Sequence, residues 1–299
     1  MLPLNGIIPP VPTPFDQHGD LYLRMIRENI NFLNAFELAG YLMLGSNGEL
    51  VMLSEKERMQ VLEAARAVIP EEKIFMAGTG CQSTRQTIEL TDKAAEAGAD
   101  VALVLNPAYY KNAMSQAALV NHFKRVADAS SIPVMIYNMP ANTGIDMDAE
   151  IIHEISRHPN VIGLKDSGGN VTKLGDIHRM CGEDFRIMAG GAGFFLPAMT
   201  VGATGGILAL ANVSPGMCID LYRMFLQGEM EQARQLQVKL IPLNSAITRK
   251  WGIPALKEAM DMLGMYGGPA REPLLPLDQE RKDELKELLV DAGILKFNS

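Results

Sequence analysis

Two residues of this chain stand where their types can do covalent chemistry. Lys165 closes the apolar run Val161-Ile162-Gly163-Leu164, and Tyr137 closes an apolar run that begins at Val134. Desolvation disfavours the charged form of an amine held among apolar side chains. A neutral amine that substrate can reach attacks a carbonyl and forms a Schiff base. Position alone equally allows a lysine paired with Asp166 or lying at a rim. Neighbours on a strand point to opposite faces, which weakens the Asp166 pairing. Tyr137 precedes Lys165 by one strand–helix unit. Adjacent parallel strands lie ~4.8 Å apart, so the two side chains can meet. A phenol beside an amine can shuttle protons while a carbinolamine dehydrates and a carbon–carbon bond breaks. The plainer reading of Tyr137 is a core tyrosine whose hydroxyl bonds to backbone.

A third segment, Gly45-Ser46-Asn47-Gly48-Glu49, can offer backbone N–H groups, a hydroxyl and an amide to a carboxylate. It reads equally as an ordinary strand-to-helix turn. Other chemistries lack their marks. The stretch from Gly78 is no dinucleotide fingerprint, because GxGxxG fails at Ser83. Gly168-Gly169-Asn170-Val171-Thr172-Lys173 is no phosphate loop, and no Gly-x-Ser-x-Gly elbow occurs. His153 and His158 are five apart, not the four that put two ligands on one helical face. No metal site is expected, and all five histidines read as surface or helix-cap residues. The three cysteines, Cys81, Cys181 and Cys218, form no CxxC and read as small buried hydrophobes in a reducing compartment.

These residues must be positioned by something, and the pattern supplies it. Short runs, apolar at nearly every position, predict strands over Gly6–Pro9, Tyr41–Leu44, Ile74–Ala77, Val101–Leu105, Val134–Tyr137, Val161–Lys165, Phe185–Ala189 and Gly206–Leu208. Such runs belong to strands covered on both faces, as in parallel sheets. Amphipathic segments lie between them: Arg24–Phe36, Ser54–Val68, Ser83–Ala97, Ser115–Ala129, Asp148–Ser156 and Val171–Met180. Ser54-Glu55-Lys56-Glu57 reads as a capping box. Eight strand runs with intervening helices predict an α/β fold, a closed (β/α)8 TIM barrel with its chemistry at the C-terminal strand ends. A doubly wound sheet would need a glycine-rich turn after the first strand, where this chain reads Pro9-Pro10-Val11-Pro12-Thr13-Pro14. After Pro215 the pattern is all helical. The division expected is a catalytic barrel over 1–228 and a C-terminal helical extension over 229–299.

Composition sets the outer bounds. The chain has 299 residues, 47% hydrophobic and 21% charged, with a net charge of −8. That suits a globular protein with a substantial core. An acidic chain without a basic run argues against nucleic acid or an anionic membrane as partner. No apolar stretch approaches the ~20 residues of a membrane span, and the N-terminus lacks a signal-peptide pattern. A soluble cytoplasmic protein is expected.

Taken in order, these segments resemble the dihydrodipicolinate synthase / N-acetylneuraminate lyase family of class I aldolases, over essentially the whole chain. The match is carried by Pro12-Thr13-Pro14-Phe15, Gly45-Ser46-Asn47-Gly48-Glu49, Tyr109-Tyr110, Tyr137-Asn138-Met139-Pro140, Gly163-Leu164-Lys165-Asp166-Ser167 and Gly202-Ala203-Thr204-Gly205-Gly206. The resemblance implies a Schiff base between pyruvate and Lys165, with no separate cofactor, and Tyr137 as the acid–base residue. It implies that Ser46 and Asn47 hold the substrate carboxylate, and that Tyr110 enters a neighbouring subunit's site to join a relay with Tyr137 and Ser46. Gly190 and Ile207 match positions around the bound keto acid, and Ser167 lies beside the Schiff base. It also implies a homotetramer, a dimer of dimers.

One position departs from the synthase pattern. Synthases of the family resemble Tyr-Asn-x-Pro-x-Arg-Thr-Gly, where the arginine binds the carboxylate of aspartate semialdehyde. This chain reads Tyr137-Asn138-Met139-Pro140-Ala141-Asn142-Thr143-Gly144. Asn142 offers no charged bidentate fork. The combination, with Ala211-Asn212-Val213 and Tyr266-Gly267-Gly268-Pro269, resembles the 4-hydroxy-2-oxoglutarate aldolases. The expected reaction is cleavage of that 2-keto acid to pyruvate and glyoxylate. The alternatives are dihydrodipicolinate synthesis through other carboxylate contacts, cleavage of a 2-keto-3-deoxy sugar acid, and a non-catalytic keto-acid binder.

Overall fold

Each strand of the molecule is a short run whose side chains alternate between two buried environments, and that alternation builds the barrel. The computed structural model describes residues 4–296. In chain order the elements are β1 (Gly6–Ile8), α1 (Leu23–Leu33), β2 (Gly40–Met43), α2 (Glu55–Arg66), β3 (Ile74–Gly78), α3 (Thr84–Glu96), β4 (Val101–Leu105), α4 (Gln116–Ala129), β5 (Val134–Asn138), α5 (Pro140–Thr143), α6 (Ala149–Ser156), β6 (Val161–Asp166), α7 (Val171–Cys181), β7 (Arg186–Ala189), α8 (Phe195–Thr200), β8 (Gly205–Ile207), α9 (Pro215–Leu226), α10 (Met230–Ser245), α11 (Gly252–Met262) and α12 (Gln279–Asp291). All neighbouring strands pair in parallel, in the order β1-β8-β7-β6-β5-β4-β3-β2. Between β1 and β2 the ring closes more thinly. Leu42 donates its N–H to the Pro9 carbonyl at 3.0 Å and accepts from Val11 at 2.9 Å. Pro9 and Pro10 have no N–H to give, so a fuller ladder cannot form there. The fold is the expected (β/α)8 TIM barrel carrying additional C-terminal helices.

Two separate apolar clusters follow from the period of two. Ile8, Leu42, Met76, Leu103, Met135 and Met188 pack inside the barrel. Their strand neighbours Ile7, Met43, Phe75, Val104, Ile136 and Ile187 pack outward against the helices. On β5, Ile136 belongs to the outer cluster and Tyr137 to the inner one. On β6, Leu164 belongs to the outer cluster, so the next side chain, Lys165, turns inward.

The helices start where their caps dictate. Ser54 accepts from the Glu57 N–H while the Glu57 side chain accepts from the Ser54 N–H, which completes the capping box. Ser83, Ser115 and Asp148 cap α3, α4 and α6 one-sidedly, each side chain accepting from the N–H three residues on. Two short helices go beyond the sequence expectations. α5 begins with Pro140 in its first turn, where a missing N–H costs nothing. α8 is buried on most sides and contains Pro197, so it shows no amphipathic period to read. Between α10 and α11 the backbone widens into a π turn, Ala246–Lys250. α10 packs against α8 and α9. The Gln237 side chain fastens it there, accepting from the Leu196 N–H at 2.8 Å and donating to the Ala192 carbonyl at 2.7 Å. Among the described residues no helix is long and apolar enough to cross a membrane.

Candidate active site

At the C-terminal end of the barrel, the register of β5 with β6 sets Tyr137 directly opposite Lys165. Lys165 is 3% exposed, and its Nζ lies 4.2 Å from the centroid of the Tyr137 ring. Asp166 does not neutralise it. That fully buried carboxylate faces outward, 3.1 Å from Lys173 Nζ and 2.7 Å from Asn138 Nδ2. Asp146 closes the same cluster through Lys173 and Asn138. Burial pushes the Asp146 carboxyl up, but the bonds from Lys173 and Asn138 outweigh it and hold it below its ordinary value. Asp166 Oδ1 also accepts the Gly168 N–H at 2.8 Å, which fixes the loop leaving β6. The pairing of Lys165 with Asp166, left open by the sequence, is thereby excluded.

Tyr137 Oη lies 3.2 Å from Ser46 Oγ, so hydroxyl and phenol share a proton path. Ser46 and Asn47 stand on a 3-10 turn, Ser46–Gly48, that follows β2. The turn is held from beneath. Thr13 Oγ1 donates to the Gly48 carbonyl at 2.7 Å. Glu49 adopts a left-handed backbone, φ 54°, which is uncommon for a side chain of its size. It is compensated by a buried ion pair with Lys257 at 2.6 Å and by the Arg271 N–H at 2.8 Å. Burial pulls the Lys257 ammonium below its ordinary range, against the opposing pull of Glu49.

Above this floor opens a cavity of about 800 Å³. Ser46, Asn47, Tyr137, Lys165, Ser167, Gly190, Ile207 and Asn142 all line it, so eight of the nine residues singled out by the sequence meet in one place. Gly190 is required by close approach: a Cβ there would sit 2.0 Å from Ser167 Oγ and 2.7 Å from the Asp166 carbonyl oxygen. Tyr110 is the ninth and lies apart. It is 73% exposed, packed edge-on against Tyr109 with ring centroids 5.1 Å apart, and does not reach its own chain's cavity. Gln82 shapes that loop by accepting the Ala108 and Tyr109 N–H groups, each at 2.9 Å.

The sequence reading missed one wall. Asn244, Thr248, Arg249 and Trp251, from the end of α10 and the π turn, also line the cavity. They sit in the stretch read as an appendage, and no strand-end position marked them. Lys165 and Arg249 are the only charged residues in the lining, which contains no carboxylate. The histidine expectation needs correction at one position. His122 is 3% exposed in the middle of α4, with Thr84 Oγ1 at 2.9 Å from Nδ1. Burial lowers its pKa to about 4. Of the three cysteines only Cys218 is fully buried, while Cys81 and Cys181 are half-buried. Among the described residues no group of three or more His, Cys, Asp or Glu is placed to hold a metal ion.

Comparison with known proteins finds relatives over nearly the whole chain. Residues 3–292 match the dihydrodipicolinate synthetase family. The chain is 34% identical over 292 residues to the 4-hydroxy-tetrahydrodipicolinate synthase of Methanoculleus marisnigri, spanning 97% of this chain and 99% of that protein. It is 36% identical over 292 residues to the probable mitochondrial 4-hydroxy-2-oxoglutarate aldolase of Emericella nidulans, spanning 96% and 94% respectively. Among solved structures, the Acinetobacter baumannii dihydrodipicolinate synthase complexed with pyruvate superposes with a TM-score of 0.93 at 28% identity. That superposition spans 98% of this chain and all of that one, at 100%. The Aquifex aeolicus dihydrodipicolinate synthase superposes with a TM-score of 0.92 at 30% identity, spanning 99% and 100%.

Proposed function

We propose, from the premise that the chain belongs to the dihydrodipicolinate synthetase family, that it cleaves 4-hydroxy-2-oxoglutarate to pyruvate and glyoxylate. Members of that family are pyruvate-dependent lyases and aldolases, and the chain is an enzyme of that kind. The observation that carries the reading is Lys165 Nζ 4.2 Å over the Tyr137 ring, at the floor of a cavity that Ser46 also lines.

In the proposed reaction the Lys165 amine adds to C2 of the keto acid. The carbinolamine loses water with proton transfer through Tyr137, leaving an iminium. Tyr137 then takes the proton of the 4-hydroxyl, and the electrons of the C3–C4 bond move into the iminium. Glyoxylate departs, the enamine is protonated at C3, and water releases pyruvate and regenerates the amine. Ser46 and Asn47 hold the C1 carboxylate, while Ser46 passes protons to and from Tyr137 over 3.2 Å. Ser167, Gly190 and Ile207 shape the keto-acid end. No separate cofactor takes part.

The choice of substrate rests on Asn142. It is neutral and lines the cavity where the synthase pattern would have an arginine. Synthesis of dihydrodipicolinate is the second reading, favoured by the names of relatives such as the Methanoculleus synthase. There the carboxylate of aspartate semialdehyde needs a receptor other than Asn142, and among the described residues Arg249 is the one cation of the lining besides Lys165. The reading also takes the enzyme as cytoplasmic and homotetrameric, with Tyr110 completing the partner's relay. The exposed Tyr109–Tyr110 pair supports that role.

The test begins with pyruvate and borohydride, followed by mass mapping of the reduced adduct. Labelling is expected at Lys165 and is lost in Lys165→Ala together with activity. Pyruvate release from 4-hydroxy-2-oxoglutarate is then compared with pyruvate consumption in the presence of aspartate semialdehyde. An unlabelled Lys165 with activity retained in Lys165→Ala ends the mechanism. Turnover in the semialdehyde assay alone ends the substrate choice.

A further inference from the structure

The cavity holds a second cation that the reaction at Lys165 does not use. Arg249 lines the same space from the π turn Ala246–Lys250, and among the described residues its guanidinium forms no salt bridge or hydrogen bond. Its neighbour is different: Lys250 pairs with Glu284 and lies 4.4 Å over the Trp251 ring. The cavity lining contains no carboxylate to meet Arg249. Arg249 is exposed, so water solvates its guanidinium and leaves it open to an anion entering the acid-free cavity.

A second observation points to a ligand at the same wall. Asn244 is 8% exposed, lines the cavity, and its Oδ1 has no hydrogen-bond partner. A buried amide oxygen left without a donor is costly unless a ligand or water supplies one. Asn244 and Arg249 are five residues apart across a turn whose backbone bonds i to i+5, as the Trp251 N–H to the Ala246 carbonyl at 3.1 Å shows. The Thr248 hydroxyl donates to the Asn244 carbonyl at 2.5 Å and secures the start of the turn.

From this we infer that Arg249 is the receptor for a second, distal carboxylate, so the site selects five-carbon 2-oxo diacids over 2-oxo monoacids. The inference rests on the keto-acid reading of Lys165 and deepens it. The guanidinium takes the far carboxylate through its planar fork. Asn244 Oδ1 accepts from a hydroxyl carried on the chain between the two carboxylates. The near carboxylate stays with Ser46 and Asn47. Arg249 therefore determines specificity and has no part in bond cleavage.

The test uses two probes of equal length, 2-oxoglutarate and 2-oxopentanoate, which differ only in whether the far end is a carboxylate or a methyl. An equimolar mixture is reduced on the full-length enzyme with borohydride, and the ratio of the two Lys165 adducts is read by mass. The diacid adduct is expected to dominate by about tenfold or more, as suits a charge-assisted hydrogen bond. The ratio should fall towards one in Arg249→Gln and recover in part in Arg249→Lys. A wild-type ratio near one, or a ratio unchanged in both variants, overturns the assignment. Should Arg249→Gln form neither adduct, Arg249→Lys decides, since it must then lie between the wild-type ratio and one. Trapping needs no carbon–carbon cleavage. Diacid preference without glyoxylate release from 4-hydroxy-2-oxoglutarate therefore removes the proposed reaction and leaves this assignment standing. Cleavage without diacid preference removes this assignment alone.

Discussion

At the scale of single residues, the division of labour between Lys165 and Tyr137 leads to a separable prediction. Tyr137→Phe keeps the ring that lies under Lys165 Nζ and deletes only the oxygen that reaches Ser46. Imine formation then loses a proton carrier but keeps its nucleophile and its carboxylate turn. A fall in kcat of about 10²–10⁴-fold is expected, the usual worth of a positioned acid–base group. KM for the keto acid should move far less. Steady-state kinetics checks this, and a large rise in KM with kcat preserved would assign Tyr137 to binding. These two residues were legible in the sequence because each ends an apolar run, and strand ends are where a barrel exposes chemistry. Asn142 was legible as a departure from a pattern. Arg249 and Asn244 were not, because a helical stretch carries no strand end to point at a site. Only the folded chain brings the π turn over the barrel mouth.

At the scale of elements, the α3–α4 contact carries a pH dependence. α4 buries Leu119, His122, Phe123 and Val126, which are spaced as one helical face. The periodicity therefore already placed His122 inward, although its residue type suggested the surface. In the folded state burial lowers its pKa to about 4, below the ordinary value of 6.5. The unfolded chain binds the proton first as pH falls. The stability that depends on a neutral His122 is thus complete above pH 6.5 and is lost between 6.5 and about 4. Below that range both states are protonated and the loss levels off. The full effect is on the order of 3 kcal/mol. Urea unfolding across this range should show the decline in the wild type and a flatter profile in His122→Gln. Parallel profiles for the two proteins would place the acid sensitivity elsewhere.

At the scale of the whole molecule, the barrel and the residues after it are joined through the substrate-binding turn. Residues 229–299 read as an extension, yet we propose that the barrel over 1–228 has no complete site without them. Lys257 on α11 reaches back to Glu49, at the end of the turn that carries Ser46 and Asn47, and donates to the Pro269 carbonyl at 2.8 Å. Its ammonium lies 4.5 Å over the Phe15 ring, and the Arg271 guanidinium lies 4.3 Å over the same ring. A buried ion pair gains little net stability over an apolar pair of the same volume, because both charges lose their water. Removing one partner is different, because it strands the other charge in the interior. Lys257→Met should therefore cost about 3–5 kcal/mol. Glu49 would then keep only the Arg271 N–H to hold its left-handed backbone, and the turn bearing Ser46 and Asn47 should loosen. KM for the keto acid should rise while borohydride labelling at Lys165 persists under saturating pyruvate. The double variant Glu49→Gln with Lys257→Met should regain much of the stability, since no lone charge remains, but not the wild-type KM. Recovery of both together would show that the pair serves folding alone. Recovery of stability with KM still raised would place part of the carboxylate receptor under the control of α11.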